Sequence, residues 1–205
     1  LFYDPVDNWL LKRIHVFADR MHLNKLETPY FINSNEDLGS FFRSDKKSFF
    51  QTTFYKQQRV KHNVLMEKDG SPEGGKWTYD VDNRKKYPKG KTPPSIQFPE
   101  SSQYWEEAIN YVKAHFDDYP GLLDANRIYP ITFDETAIWL EQFLIERFEE
   151  FGIYEDAIVK EEIFLNHSLL SPLMNAGLIS PREVINQSIL FAQKHEVPLN
   201  SLEGF

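Results

Sequence analysis

The 205-residue chain contains no cysteine, which excludes disulfide bonds and any thiolate-held metal or iron–sulfur site within these residues. It has no run of 18 or more apolar residues and no basic leader before a short apolar stretch, so we expect neither a membrane span nor a signal peptide. Its histidines form no i, i+4 pair with a supporting carboxylate, which argues against a zinc site. We therefore expect a cytoplasmic protein with no membrane partner and no metal ligands in this segment.

The sequence motifs of several common enzyme classes are also missing. There is no Gly-x-Ser-x-Gly elbow, no Gly-x-Gly-x-x-Gly fingerprint and no P-loop. The acidic residues between Glu149 and Glu162 are more typical of solvated helix ends than of a divalent-metal site. Catalytic residues therefore cannot be assigned from a known hydrolase or nucleotide motif.

Charge is distributed unevenly along the chain. Between Arg43 and Lys91 there are 13 Lys/Arg against 6 Asp/Glu, a balance of +7 in a chain of net charge −8, which leaves −15 elsewhere. A basic region on an acidic protein suits a surface that meets a polyanion such as nucleic acid. The alternative is a solvated loop and helix face.

The periodicity of apolar residues predicts a mainly α chain in three parts. Residues 1–44 form a strand, a helix over Asp7–Met21 and a second strand, as at the trailing end of an incomplete α/β domain. Residues 45–100 form a mostly helical stretch from Ser44 to Met66 and then a long linker rich in Gly and Pro. Residues 101–205 are helical, with capping boxes at Thr132 and Ser180 and a helix end at Gly152.

The segment from Asn166 to Arg182 combines two hydroxyls with the starts of two helices. Free N–H groups and hydroxyls at a helix start bind anions, which makes Ser168 and Ser171 candidate phosphate ligands. The alternative is that Ser168 only caps a helix and that Ser171-Pro172 only turns the chain.

A second run, from Gly74 to Arg84, places two glycines before two aromatic residues and a polar group. Gly74 and Gly75 permit positive φ or a close backbone approach, and Asp80 can pair with Arg84. A loop latch without direct chemistry is the alternative.

The Asn166–Arg182 run resembles the signature with which the photolyase/cryptochrome family holds the phosphates of FAD. The run Gly74-Gly75-Lys76-Trp77-Thr78-Tyr79-Asp80-Val81-Asp82-Asn83-Arg84 is similar to one in the branch called deoxyribodipyrimidine photolyase-related proteins. That branch contains the prokaryotic (6-4) photolyases and the iron–sulfur bacterial cryptochromes. The resemblance covers residues from about 45 to 205 well and residues 1–44 loosely.

This resemblance implies a fragment of a DNA photolyase-type lyase, spanning the end of an α/β Rossmann-like antenna domain, a linker and the first helices of the FAD domain. Reduced FAD would repair UV-induced pyrimidine photoproducts by photoinduced electron transfer. The intact protein would also carry a 4Fe-4S cluster and an antenna chromophore, neither ligated by cysteines in this segment. The implied FAD ligands are His167, Ser168, Leu169, Leu170 and Ser171.

UV-damaged DNA is the implied partner. Charge and resemblance together give as candidate DNA-binding residues Lys56, Arg59, Lys61, Asp80, Asn83 and Arg84. Because the chain begins at Leu1 and ends at what reads as a helix start, we expect the fragment alone to be inactive and its exposed surfaces to favour non-native association. Two alternatives remain open: a cryptochrome-type blue-light photoreceptor, or a flavin-free helical nucleic-acid-binding or interaction module.

Overall fold

The computed structural model describes residues 1–123 and 126–205, so Asp124 and Ala125 of the predicted third part lie outside the described residues. The chain is mainly α, as predicted, with one small sheet. The strands are β1 (Phe2–Tyr3) and β2 (Lys25–Leu26). The helices are α1 (Asn8–His15), α2 (Asn35–Gly39), α3 (Gln51–His62), α4 (Gln103–His115), α5 (Phe133–Glu146), α6 (Phe151–Tyr154), α7 (Ser171–Asn175), α8 (Pro181–His195) and α9 (Leu199–Gly204).

The described residues form two compact units. Unit 1 comprises Leu1–Trp77 with Ser180–Glu183, and unit 2 comprises Thr78–Ile179 with Val184–Phe205. No helix in the described ranges has the length and hydropathy needed to cross a bilayer.

Unit 1 begins with the predicted strand, helix and strand. β1 and β2 pair in parallel, with Phe2 opposite Lys25 and Tyr3 opposite Leu26. The helix between them is shorter than Asp7–Met21: Asp7 caps α1 through its carboxylate, and from Val16 the chain continues in turns. No α1 residue is buried, and Trp9 is 77% exposed. The buried centre of unit 1 is Phe41, whose ring contacts those of Phe42, Phe49 and Phe54.

Unit 2 packs its helices around α5. The buried cluster combines α5 residues with others from the chain around α7 and α8, namely Trp139, Leu140, Phe143, Leu144, Phe148, Leu170, Leu173, Ile179, Val184 and Ala192. Thr132 caps α5 by accepting the Glu135 N–H. In unit 1, Ser180 accepts the Glu183 N–H at the start of α8, whose first residue is Pro181. Both predicted helix starts are confirmed.

Two predicted helix boundaries are wrong. The helix expected over 44–66 is α3 alone, because residues 44–50 are irregular and Asn63 adopts the left-handed conformation at its end. Gly152 does not end α5, which stops at Glu146. Gly152 instead lies inside α6, where an added Cβ would stand 2.6 Å from the Asn200 carbonyl oxygen and 2.8 Å from Ser201 Cα. Close approach of α9, rather than helix termination, requires this glycine.

Candidate functional site

Buried side chains of unit 2 donate hydrogen bonds to carbonyl groups of the predicted phosphate segment, residues 166–171. Arg147 Nε donates to the His167 carbonyl at 3.1 Å, and Trp139 Nε1 donates to the Leu169 carbonyl at 3.3 Å. His167 Nε2 lies 3.0 Å from the Glu155 carbonyl oxygen. Two of these contacts use carbonyls of the segment as acceptors, and in the third the His167 ring donates to the Glu155 carbonyl.

The donors of this segment are open. Across residues 1–123 and 126–205, no acceptor is recorded for the N–H groups of residues 167–171 or for the hydroxyls of Ser168 and Ser171. Leu169 adopts a left-handed conformation with φ 58°, which is uncommon for a residue with a Cβ. A turn of this kind with several unbonded N–H groups has a backbone geometry that can bind an anion.

Residues of this segment differ in burial, and therefore in which of their atoms can contact a ligand. Leu170 is buried in the unit 2 core, so only its backbone can contact a ligand, and the partly buried Leu169 packs against the same core. Ser171 is the first residue of α7, as predicted, and is exposed. Ser168 does not cap this helix, because the cap position is Leu170 and no side chain bonds there. The helix-cap alternative for Ser168 is therefore wrong.

Arg147 is a residue that motif reasoning missed. Its side chain is 1% exposed, Nη1 donates to Gln142 at 3.1 Å, and Nη2 is buried without a partner. Burial lowers the pKa of Arg147 to about 10, an effect that nearby Glu146 opposes, so the group stays charged at neutral pH. No carboxylate of the described residues forms an ion pair with it. A buried, unneutralised cation beside free N–H groups favours a bound anion.

The spacing of apolar residues in the sequence could have identified Arg147 as a residue on a buried face. It directly follows α5 and stands four residues after Phe143 and seven after Leu140, in line with buried apolar residues of that helix. A charged residue on a buried face is the informative exception in such a pattern.

The second candidate run, Gly74–Arg84, is continued by residues up to Lys91, and residues 79–91, which contact α6 and α9, are called the strap here. Asn83 is 1% exposed: its Nδ2 donates to the Asn200 carbonyl at 3.0 Å, and Asn200 Nδ2 donates back to its Oδ1 at 2.9 Å. The Tyr79 N–H donates to Glu203 at 2.8 Å. Asn83 therefore holds the strap in place and is not a surface contact, which corrects its assignment to DNA binding.

Asp80 and Arg84 form an exposed i, i+4 ion pair at one end of the strap. Close to them lies Glu155, whose pKa is raised to about 7 by burial first and then by the charges of Asp156, Asp80 and Glu203, with Arg84 opposing. The pairing of Asp80 with Arg84 is confirmed. Their contact with DNA stays a prediction.

In unit 1 the three basic candidates differ in what they contact. Arg59 is 4% exposed and donates to the carbonyls of Val64, Leu65 and Trp77. It ties α3 to the Gly74-Gly75 loop, in which both glycines have positive φ. Because its guanidinium is enclosed by these acceptors, its assignment to DNA contact is also corrected.

Lys56 and Lys61 lie nearer the surface. Lys56 Nζ stands 5.6 Å from the Trp77 ring centroid. Lys61 Nζ is 2.7 Å from Asp37 Oδ1, and this hydrogen bond lowers the pKa of Asp37 to about 2. These two lysines remain candidates, although Lys56 lies near the Trp77 ring and Lys61 contacts both Asp37 and Asn33. They lie in a different unit from Asp80 and Arg84.

Unit 1 also contains a cleft of about 800 Å³ at the carboxyl ends of β1 and β2. Asp4 follows β1 and Glu27-Thr28 follow β2, and Lys61 and Arg182 add positive charge to the lining. Ligands of open parallel sheets bind at this end of the strands. The sequence pattern predicted the two strands but gave no sign of the cleft.

Within the described residues, no three side chains among His, Asp and Glu come together as a metal site. The acidic run from Glu149 to Glu162 includes Glu150, which is paired with Lys91.

Comparison with known proteins gives one family and three relatives. A family model described as "Deoxyribodipyrimidine photo-lyase-related protein" matches residues 1–128. A (6-4) photolyase of Agrobacterium fabrum is 29% identical over 175 residues, which cover 85% of this chain and 34% of that protein. Uncharacterized protein R852 of Acanthamoeba polyphaga mimivirus is 40% identical over 90 residues, 42% of this chain and 45% of that protein. Protein R853 of the same virus is 49% identical over 37 residues, 18% and 29% respectively.

These matches confirm the resemblance to the photolyase-related family. The family match begins at residue 1, so it includes the strand–helix–strand segment that the motifs covered only loosely, and it ends before the 166–182 run. The chain spans about a third of the photolyase and less than half of each viral relative.

Proposed function

This chain belongs to the deoxyribodipyrimidine photo-lyase-related protein family, and we propose that it is part of a light-dependent FAD flavoprotein that repairs UV-induced pyrimidine photoproducts in DNA. One observation carries the proposal: residues 167–171 offer free N–H groups and two free hydroxyls beside the buried cation Arg147. The (6-4) photolyase of Agrobacterium fabrum, similar over most of this chain, supports the same reaction class.

The residues present fit the phosphates of FAD. Ser168 and Ser171 donate hydroxyl hydrogens, the N–H groups of the segment donate from the backbone, and Arg147 supplies positive charge behind the loop. Bound FAD supplies the photochemistry, in which its reduced form donates an electron to the lesion under blue light. The task of this segment is to bind and orient the cofactor. The reacting groups that complete the site belong to the rest of the protein.

The test is repair by the full-length protein. Purified protein should carry FAD and, once reduced, should convert a defined (6-4) lesion in duplex DNA under blue light but not in the dark. Flavin without repair would favour the blue-light photoreceptor alternative. Protein that folds but binds no flavin would contradict the proposal and leave the nucleic-acid-binding module.

For DNA we propose that Asp80 and Arg84 lie near the flipped-out lesion, and that Lys56 and Lys61 act on the phosphate backbone. The exposed Asp80–Arg84 pair supports the first part, because neither side chain is enclosed by its own unit. Asp80→Asn should then lower the repair rate more than the affinity for undamaged DNA. Equal effects on both quantities would show that Asp80 only shapes the strap.

We also propose that the cleft in unit 1 accommodates the antenna chromophore, and that unit 1 is the end of the antenna domain. Its place at the carboxyl ends of two parallel strands supports this. Thr28→Trp should fill the cleft and lower the pigment content while FAD content stays unchanged, as measured by absorbance after denaturation. Unchanged pigment content would place the chromophore elsewhere. With no cysteine in this chain, we place the 4Fe-4S ligands outside these residues.

A further inference from the structure

The strap carries the densest unopposed positive charge in the sequence. Between Asp82 and Glu100 there are five Lys/Arg residues and no acidic residue. Two of the five are neutralised, since Arg84 pairs with Asp80 and Lys91 pairs with Glu150. The other three, Lys85, Lys86 and Lys89, are exposed, and none of them has an ion-pair partner in the part of the chain that the structure describes.

The backbone that presents these lysines is fixed to α6. The Lys85 N–H donates to the Ile153 carbonyl at 3.1 Å, and the Tyr87 ring lies 4.8 Å from the Tyr154 ring between centroids. Lys91 lies over the Tyr154 ring at 4.9 Å while it pairs with Glu150. The lysines therefore extend from an ordered segment, which lowers the entropy cost of binding.

A tight turn places the last of the three lysines. The Lys91 N–H donates to the Pro88 carbonyl at 3.2 Å, and Gly90 has φ 79°. Positive φ at the third residue of such a turn is typical of type II, in which Lys89 occupies the outer corner. Lys89 is thus directed by backbone geometry and not by a side-chain partner.

Nearby acids do not cancel this charge. The pKa of Tyr87 is raised by burial first and then by the charges of Glu150 and Glu162, with Lys91 opposing. Glu150 is paired with Lys91. Asp80 and Glu150 are paired with Arg84 and Lys91, so Lys85, Lys86 and Lys89 are the basic side chains of residues 83–99 that no ion pair among the described residues neutralises. Lysine ammonium groups contact phosphate as point charges without reading bases.

We infer that Lys85, Lys86 and Lys89 form a contact surface for the phosphate backbone of duplex DNA, distinct from the side chains assigned above to the lesion. This inference rests on the proposed function, because the choice of duplex DNA as the polyanion comes from it. The three lysines hold the duplex through its backbone, whatever its sequence.

The test uses the full-length protein with Lys85, Lys86 and Lys89 all changed to Gln. Affinity for a duplex with and without a (6-4) lesion is measured by fluorescence anisotropy from 50 to 300 mM salt. Each lost phosphate contact should reduce the slope of log K against log salt by about 0.9, so the triple variant should lose about 2–3 units of slope on both duplexes. The matched control changes three exposed lysines of unit 2, Lys113, Lys160 and Lys194, to Gln, which alters net charge equally.

The outcomes separate this inference from the proposed function. A reduced slope in the strap variant with a wild-type slope in the control supports the inference. If the strap variant, the control variant and the wild type all have the same slope, the inference alone is overturned. If both variants show the same reduction in slope, the effect is a general effect of net charge, and the inference is again overturned. A wild-type protein that does not bind duplex DNA overturns both the inference and the proposed function.

Discussion

Residues 166–171 and the strap are two polar loops of the same unit, yet their hydrogen-bonding groups differ in use. In the first loop, carbonyls accept from Arg147 and Trp139, while the N–H groups of residues 167–171 and the hydroxyls of Ser168 and Ser171 have no acceptor among the described residues. In the strap, Asn83 and Tyr79 bond to α9. This difference supports the proposal that the first loop binds a ligand, whereas the contacts of Asn83 and Tyr79 hold the strap against α9. A motif match alone does not separate residues that hold a loop from residues that contact a ligand.

The largest effect should come from the packing beneath the strap. Gly152→Ala would place a Cβ 2.6 Å from the Asn200 carbonyl oxygen, so α9 would have to move. Such overpacking against backbone should lower the free energy of unfolding by about 2–4 kcal/mol in urea denaturation. Gly39→Ala is the matched control, because nothing lies within 4 Å of its added Cβ. If both variants unfold at the same urea concentration as the wild type, the close approach of α6 and α9 is wrong.

Replacement of Arg147 is expected to have a smaller effect on stability and a separate effect on the affinity for FAD. Arg147→Met removes a buried cation that no carboxylate neutralises, so the unfolding free energy should change by less than about 1 kcal/mol. The affinity for FAD should fall by about 2 kcal/mol, or roughly 30-fold, because the positive charge behind the phosphates is lost.

Arg59→Met is the contrasting control for Arg147. Its guanidinium donates to three backbone carbonyls, so its loss should lower stability and leave the affinity of the folded protein for FAD unchanged. If Arg147→Met unfolded the protein and retained wild-type flavin affinity, Arg147 would be structural only.

The sequence predicted several local features of the two candidate segments. Ser171 at a helix start, the Asp80–Arg84 pair and the positive φ of Gly74 and Gly75 follow from residue types and short spacings, and the structure shows each of them. Such features depend on neighbours within a few positions, where propensity and hydrogen-bonding chemistry are decisive.

The features that sequence reasoning missed depend on distant residues. Asn83 meets Asn200, 117 positions away, and Gly152 is required by α9. Arg59 is a residue type that commonly contacts DNA, but its guanidinium donates to three backbone carbonyls. Burial of a polar group is decided by which segments meet in the fold, so no local pattern could assign it.

The smallest effect concerns pH and the acidic end of the strap. The pKa of Glu155 is raised to about 7, mainly by burial. Its contribution to stability is therefore fully present below its ordinary pKa near 4.5 and is lost as pH rises through 7. Glu155→Gln should remove this loss and be more stable than the wild type at pH 8 by on the order of 1 kcal/mol, after solvent screening. An identical pH dependence in variant and wild type between pH 4.5 and 8 would contradict the buried position of Glu155.

The central claim, that residues 166–171 bind the phosphates of FAD, is tested most directly by the flavin dissociation constant of Ser168→Ala/Ser171→Ala in the full-length protein. We expect a loss of about 1–3 kcal/mol, or 5- to 150-fold, with the free energy of unfolding of the flavin-free protein unchanged within about 0.5 kcal/mol. Asn83→Ala, the matched change in the strap, should instead lower stability and leave the flavin affinity of the folded protein unchanged. A wild-type dissociation constant in the double serine variant would contradict the claim.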